Sequence, residues 1–243
     1  MKCPMIKAVL FAVIAFYLVV PSLPGRAMET QSLSPGAERI EKAIEAFKDL
    51  VELPETKEGL PASLLRKCQG LAIIPGVIKA AYGIGGQYGK GIVLIKNDQG
   101  EWSDPAFVSL IGGSIGWQIG VQKADIILVF KTAKSIDNIA GGKITLGADM
   151  SVAAGPIGRH AEADTDLDME AEIYSYSKSK GLFAGISLKG ASIQADREAN
   201  GAFYEQSNIS AYDILNGRGV KAPSIVEGLK RVLVRYAGRI RRI

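Results

Sequence analysis

The sequence predicts an α+β protein: a strongly curved antiparallel β-sheet or small β-barrel, rich in glycine and flanked by N- and C-terminal helices. Between Gly70 and Phe130, short runs of Ile, Val and Leu are interrupted by glycine at nearly every second or third position. Such glycines let strands bend and backbones approach closely. The 28 glycines among 243 residues exceed the usual level of about 7%. Amphipathic helical patterns precede and follow this β-rich region.

Residues 1–27 have the pattern of an export signal. Lys2 and Lys7 give a positive start, residues 8–20 are uncharged and apolar, and small residues surround Ala27. The apolar run of about 13 residues is shorter than the roughly 20 that a membrane-spanning helix needs. The sequence therefore predicts cleavage near Ala27 and a periplasmic or envelope-associated protein, with a retained membrane anchor as the alternative.

Helices are predicted at both ends of the β-rich region. Ser34 is a suitable N-cap, followed by Pro35 at the first helical position. Apolar residues then recur at helical spacing, which predicts an amphipathic helix over Pro35–Leu53. A second short helix is predicted over Pro61–Cys68, and a final one from Ser224 to the end of the sequence.

The predicted strands are short and joined by turns. The alternating or apolar segments are Leu71–Ile74, Gly83–Tyr88, Ile92–Lys96, Ala106–Leu110, Ser114–Val121, Asp125–Phe130, Ile144–Ala153, Ala171–Ser177 and Leu182–Asp196. Turns are expected at Gly89–Gly91, Asn97–Gly100 and Gln122–Ala124. Connections this short predict antiparallel neighbours. Short helical segments are expected at Thr132–Ile139, Glu198–Tyr204 and Ser210–Leu215.

Catalytic motifs are weak. Gly112–Gly116 matches G-x-S-x-G, but a nucleophile elbow needs a strand, a sharp turn and a helix, whereas the following residues alternate like a strand. Gly83–Gly91 lacks the spacing of a phosphate-binding loop, and a hairpin explains it better. A hydrolase using Ser114 and the single histidine, His160, is retained only as a third hypothesis. We predict no enzymatic activity, no catalytic residues and no cofactor.

Metal binding is not predicted either. Asp164, Asp166 and Asp168 have the opening spacing of a calcium loop, but Met169 stands where the turn glycine is required. The segment Glu162–Glu172 is therefore interpreted as a solvated acidic stretch, with cation binding there left open. Cys68, the one cysteine after the predicted cleavage site, is expected to be buried and inert.

Basic residues are concentrated at the C-terminus. The formal net charge is +4, but the residues from Lys221 onward hold seven basic residues against the single acid Glu227. Because a broad basic face is missing, nucleic-acid binding is not predicted. The final helix has an apolar stripe and a cationic side. The stripe is interpreted as docking on the sheet, with free membrane insertion as the alternative.

Several long blocks resemble a known family. The blocks GLAIIPGVIKAAYGIGGQYGKG, SDPAFVSLIGGSIGWQIGVQ, GKITLGADMSVAAGPIGR, AEIYSYSKSKGLFAGISLKGASI and ANGAFYEQ follow one another as in the SYLF domain. The family's eponymous tetrapeptide is absent, and Ser175–Lys178 stands in its place. The resemblance implies a non-enzymatic domain that binds membrane lipids, phosphoinositides in eukaryotic members, with one eukaryotic branch that binds and bundles actin. The predicted organisation is a signal peptide (1–27), an N-terminal extension with an amphipathic helix (28–59) and a SYLF-like domain (60–243).

The first functional hypothesis is an exported, bacterial-type member that binds anionic phospholipid at the cell envelope. Its expected lipid-binding residues are Lys230, Arg231, Arg235, Arg239, Arg241 and Arg242, with Lys79 and Lys90, near glycine-rich turns, as secondary candidates. The second hypothesis is a protein-interaction scaffold of the actin-bundling type, which requires a protein partner or self-association.

Overall fold

A computed structural model describes residues 33–51, 60–132, 139, 141–156, 171–179, 182–185 and 188–237, without the side chains of 81–84, 114–119 and 182–185. The predicted signal peptide, most of the helix expected at Thr132–Ile139, His160 and the aspartates of the acidic segment lie outside the described residues. So do Arg239, Arg241 and Arg242.

Two helices precede the sheet. Helix α1, Pro35–Val51, begins as its sequence predicts: the Ala37 amide donates to Ser34 Oγ at 3.3 Å, and Pro35 occupies the first helical position. Its buried side includes Ile40, Phe47 and Leu50. Helix α2, Ala62–Lys67, is the short second helix. Both predicted helices are confirmed: α1 begins at the predicted Pro35, α2 lies one residue inside each expected bound, and residues 52–53 of the predicted first helix lie outside the described residues.

One mixed sheet of seven strands forms the body within the described part of the chain. The strands are β1 (Gly70–Ile95), β2 (Ala106–Phe130), β3 (Lys143–Thr145), β4 (Val152–Ala154), β5 (Ile173–Ser179), β6 (Leu182–Gly185) and β7 (Ala191–Ala195). The order β3-β7-β2-β5-β4 is completed by β1 on β2 and β6 on β5. The predicted antiparallel pairing holds for five of the six described strand pairs, whereas β4 pairs with β5 in parallel and makes the sheet mixed.

The predicted α+β class with a curled sheet between terminal helices is confirmed. Three helices follow β7: α3 (Arg197–Phe203), α4 (Ala211–Leu215) and α5 (Ile225–Ala237). The core is continuous from α1 and α5 through the buried stretches of β1 and β2 to Tyr176 on β5.

The two long strands correct the sequence-based prediction. Six short strands were expected between Gly70 and Phe130, but β1 and β2 run through the predicted turns at Gly89–Gly91 and Gln122–Ala124. The hairpin proposed within Gly83–Gly91 is likewise absent. Glycine removes side-chain bulk without breaking ladder hydrogen bonds, so it bends a strand here instead of ending it. The turn at Asn97–Gly100 is confirmed, since Gly100 N donates to Asn97 O at 2.9 Å.

Two other predicted strands are divided. The strand expected over Ile144–Ala153 separates into β3 and β4 at a turn containing Gly147, whose φ is +84°. The strand expected over Leu182–Asp196 separates into β6 and β7, and Gly190 before β7 also has φ +84°. A positive φ is readily adopted only by glycine, which explains why the chain reverses at these two positions.

Strand β1 doubles back on itself. Its 26 residues would extend about 85 Å if straight, yet residues 17 positions apart are in contact. A Cβ added to Gly91 would lie 2.3 Å from Ile73 O and 2.8 Å from Ile74 Cα, and one on Gly89 would lie 2.7 Å from Val77 Cγ2. These glycines let the backbone close on itself, and the chain between the contacting positions forms the outer part of the curl.

Candidate functional site

The apolar side of α5 is used in packing. Val226, Leu229, Leu233 and Ala237 are buried against the core. The ring of Tyr236 meets that of Phe47 on α1 edge-to-face, with 6.0 Å between ring centroids. Along Ile225–Ala237 this stripe is therefore a docking surface, not a face left free for insertion. It packs chiefly on helices α1 and α2 and not on the sheet, so the expected docking partner was wrong.

The cations of α5 fall into two groups. Lys230 is drawn into an ion pair with Asp104, with Nζ 2.6 Å from Oδ1, and Glu227 lies 4.0 Å away on the other side. Arg231 and Arg235 are exposed, one helical turn apart. The Arg235 guanidinium lies 5.7 Å from the ring centroid of Tyr236. Of the predicted residues on this helix, these two arginines present their charge to solvent, whereas that of Lys230 is largely balanced.

Lys79 and Lys90 lie within β1 and not beside turns, so the location assigned to them from sequence was wrong. Lys90 is half exposed, and its Nζ lies 3.7 Å from Asp196 Oδ2. Burial lowers the pKa of the Lys79 amine below its usual value. The ion pairs of the described residues link Lys90 to the start of α3 and Lys230 to the β1–β2 connection. Lys90 and Lys230 therefore belong to separate ion-pair networks.

Asp196 joins three elements. Its carboxylate accepts a hydrogen bond from Arg39 of α1 at 3.0 Å, faces Lys90 of β1, and caps α3 by accepting from the Ala199 amide at 3.1 Å. Burial acts to raise the pKa of this carboxyl, but the capping hydrogen bond and the two cations outweigh it, so the pKa is lowered. This cluster links α1, β1 and α3, and the sequence did not predict it.

A second unpredicted feature is a buried amine at the end of β1. Lys96 is 7% exposed. Its Nζ donates to the carbonyl oxygens of Leu65 and Arg66 at 2.8 and 3.1 Å and lies 4.8 Å from the ring centroid of Trp102. It therefore satisfies carbonyls at the end of α2. Burial lowers the pKa of this amine.

Cys68 lies beside Lys96 and is buried, as predicted. Its thiol donates to Leu65 O at 3.1 Å. Desolvation raises the pKa of the Cys68 thiol to about 11, although the Lys96 charge acts in the opposite direction. A thiol in this state is a poor nucleophile at neutral pH.

The Gly112–Gly116 segment lies inside β2 and pairs with β1, so the strand–turn–helix backbone of a nucleophile elbow is not formed there. No group of three or more His, Cys, Asp or Glu residues is arranged to hold a metal ion in the described ranges. Within those same ranges, no helix is both long and apolar enough to cross a bilayer.

An exposed apolar surface on the two long strands was not predicted from the sequence. Ile78, Tyr88, Ile111 and Val121 are 50%, 47%, 44% and 74% exposed. In the backbone register Tyr88 faces Ile111, and Val121 faces Ala80, the residue two positions after Ile78. The apolar composition of this stretch was evident, but which of its residues are buried depends on the curl of β1.

Comparison with known proteins assigns the family. A family model described as "Ysc84: Las17-binding protein actin regulator" matches residues 111–236. The SH3 domain-containing YSC84-like protein 1 of Bos taurus is 36% identical over 203 residues, which is 83% of this chain and 59% of the relative. Its Homo sapiens counterpart is 34% identical over 216 residues, 87% of this chain and 63% of the relative.

A yeast relative extends the match. The Saccharomyces cerevisiae LAS seventeen-binding protein 3 is 35% identical over 206 residues, covering 84% of this chain and 44% of the relative. The chain thus spans roughly half of the length of these curated relatives. The chain belongs to the Ysc84, or SYLF, family, as the resemblance of its sequence blocks indicated. This is a family of binding proteins and adaptors.

Proposed function

We propose that this protein binds anionic phospholipid membranes without catalysing a reaction. The observation that carries the proposal is the exposed pair Arg231 and Arg235 on a helix whose apolar side is already packed. A docked helix already holds the backbone that carries these cations, so less backbone entropy is lost when they meet a negative surface.

The sequence beyond α5 strengthens this cationic end. Arg239, Arg241 and Arg242 follow within a few residues. Basic residues next to an anionic membrane each contribute about 1 kcal/mol of binding free energy at low salt. Lys90 and Lys230 are secondary contributors, because each already lies near a carboxylate.

Neutralising the exposed arginines tests the proposal. The double variant Arg231→Gln/Arg235→Gln is expected to bind phosphatidylglycerol-containing vesicles about 30-fold more weakly, since it lacks two charges worth about 1 kcal/mol each. Its binding should also depend less steeply on salt. The measurement is vesicle flotation at several salt concentrations, with phosphatidylcholine vesicles as the neutral surface and phosphoinositide-containing vesicles as a second anionic one.

The matched control is Lys143→Gln/Lys189→Gln, which removes the same number of exposed charges from the β3 and β7 region. The control should bind nearly as the unaltered chain does. Equal loss in both variants would show that only net charge matters. Undiminished binding of the arginine variant would contradict the assignment to α5, and no binding by the unaltered chain to any anionic vesicle would contradict the function itself.

A protein-interaction scaffold is the second candidate, favoured by the description of the family as Las17-binding and actin-regulating. Cosedimentation of the full chain with actin filaments, together with its oligomeric state by light scattering, distinguishes this candidate. Bundling without vesicle binding would favour the scaffold.

We also propose that the protein acts at the cell envelope after cleavage near Ala27. The support is the pattern of residues 1–27, a positive start before an uncharged apolar run. Mass measurement of the N-terminus of the protein recovered from envelope and cytosolic fractions tests this location. An uncleaved N-terminus in the cytosol would contradict it.

A further inference from the structure

Exposed apolar side chains are concentrated on one segment. Among the described residues six large apolar side chains are exposed, and four of them lie on β1 and β2: Ile78, Tyr88, Ile111 and Val121. Of the other two, Leu33 precedes α1 and Tyr212 lies on α4. Exposed apolar residues scattered singly need no explanation, but a concentration on one element points to an interaction surface.

The segment that carries them is a two-stranded ribbon. Strand β2 pairs with β7 over Val108–Gly112 and with β5 over Asp125–Phe130. Between these stretches, residues 113–116 and 120–124 pair only with residues 77–86 of β1, as far as the described strands show. We call these two paired stretches, with the adjoining pair Tyr88 and Ile111, the ribbon.

The ribbon has an inner and an outer face. Val77 and its partner Ala124 are buried, and Val77 contacts Gly89 where β1 doubles back, so these positions define the inner face. Successive side chains of a strand point to opposite sides. Ile78 and Tyr88, each next to an inner position, are therefore on the outer face, in agreement with their exposure.

The cross-strand register extends the outer face. Ile78 is opposite Lys123, Ala80 is opposite Val121, and Tyr88 is opposite Ile111. Because directly paired residues share a face, apolar side chains of both strands lie on the outside of the curl with a lysine among them. This inverts the usual arrangement, in which the solvent side of a half-buried sheet is polar.

The charge pattern of the ribbon selects the partner. Residues 70–97 and 105–124 contain no Asp or Glu, and by alternation Lys90 and Lys123 lie on the outer face, whereas Lys79 lies on the inner one. A second copy of the same face would bring lysines against lysines. An outward-curving apolar surface can enter a fluid layer. Apolar and tyrosine side chains with lysines beside them are typical of elements that lie in a bilayer interface.

We propose that the outer face of the ribbon inserts Ile78, Val121, Tyr88 and Ile111 into the interfacial layer of an anionic bilayer. Lys123, on the same face, contacts lipid phosphates. This inference rests on the proposed membrane binding and adds an apolar contact that the α5 arginines do not supply. Electrostatic attraction to α5 weakens with salt, whereas burial of apolar side chains does not.

The first test is the variant Ile78→Ser/Val121→Ser in the full chain. Flotation with phosphatidylglycerol-containing vesicles is expected to show about tenfold weaker binding at low salt, because two largely exposed aliphatic side chains no longer enter the bilayer. The residual binding that the unaltered chain retains at high salt should disappear. The matched control is Leu33→Ser/Tyr212→Ser, which removes two apolar side chains of 49% and 40% exposure from outside the ribbon.

The second test measures insertion directly. Val121→Cys, in a Cys3→Ser background, is labelled with the fluorophore NBD; the native Cys68 thiol is buried and reacts slowly. On anionic vesicles the label at position 121 should shift its emission to the blue and be quenched by spin-labelled lipids. The same label on Leu33→Cys should not change. Circular dichroism melting of each variant verifies that it is folded.

The outcomes separate this inference from the proposed function. If the unaltered chain binds no vesicle, both fail together. If it binds and the ribbon variant binds as well as its control, or the label at position 121 stays unquenched, the inference alone is overturned. If the ribbon variant instead converts a dimer into a monomer with vesicle binding unchanged, the outer face is a contact between copies and the inference is equally overturned.

Discussion

Burial shifts the pKa values of two neighbouring groups, the Lys96 amine and the Cys68 thiol. The Lys96 amine is held by two carbonyl oxygens at the end of α2 and by the face of Trp102. The neighbouring thiol has a raised pKa even though a cation is adjacent, because desolvation of the thiolate exceeds the attraction. The pair therefore fixes the junction of α2 and β1 and leaves the cysteine unreactive near neutral pH.

Stability at alkaline pH should report on Cys68. A folded-state pKa of about 11, against an ordinary value near 9.0, means that the unfolded chain loses the thiol proton first. The contribution of the protonated Cys68 thiol to the free energy of unfolding is complete below about pH 9. It is lost as pH rises toward 11, by about 2–3 kcal/mol in all. Denaturant unfolding of the unaltered chain and of Cys68→Ala at a series of pH values should give curves that converge over this interval. Parallel curves would contradict the prediction.

At the scale of the element, the curl of β1 depends on the positions of its glycines. Gly89 and Gly91 lie where the strand meets its own earlier residues. The backbone ladder with β2 continues through both of them. A side chain at either position would enter space already occupied by Val77 or by the Ile73–Ile74 backbone. The curl therefore depends on missing side chains more than on any attractive contact.

Alanine substitutions at Gly91 and at Gly113 should distinguish a steric clash from the ordinary effect of replacing a glycine. Gly91→Ala places a Cβ 2.3 Å from Ile73 O, and overpacking of this kind should reduce the free energy of unfolding by about 3 kcal/mol. Gly113→Ala is the control, because an added Cβ there meets nothing within 4 Å, and it should change stability by less than about 1 kcal/mol. Urea denaturation compares the two, and equal stability would contradict the close approach within β1.

At the scale of the whole molecule, Asp196 ties the N-terminal helix, the long strand and α3 to one another. Its partners Arg39, Lys90 and Ala199 come from positions far apart in sequence. The same carboxylate reduces the freedom of Lys90 to contact a ligand. Among the described residues, Arg231 and Arg235 of α5 have no ion-pair partner. The ribbon exposes apolar side chains such as that of Val121.

Removing this carboxylate should loosen the whole fold. Asp196→Asn keeps a capping group for α3 but loses its charge, and we expect a loss of about 1–3 kcal/mol at neutral pH. Because the folded-state pKa is depressed, the advantage of the native aspartate is present above its ordinary value and is lost as pH falls through the lower folded value. Thermal or urea unfolding from neutral pH down to pH 3 measures it.

The control for this variant is Glu227→Gln, whose carboxylate is exposed and 4.0 Å from its nearest cation. It should change stability little, because exposed ion pairs contribute about 0–1 kcal/mol. If Asp196→Asn were as stable as this control at neutral pH, the contacts of the Asp196 carboxylate would not stabilise the fold.

Local sequence determined the helices, the fold class, the burial of Cys68 and the family. Caps such as Ser34 and the 3.6-residue periodicity act over a few neighbouring residues, so they can be identified without tertiary contacts. Tertiary structure alone decided that β1 and β2 are continuous, that Lys230 is paired, and that Ile78 and Val121 face outward. Each of these depends on contacts between residues distant in sequence, and an apolar residue in a glycine-rich strand has the same local pattern whether its face is buried or exposed.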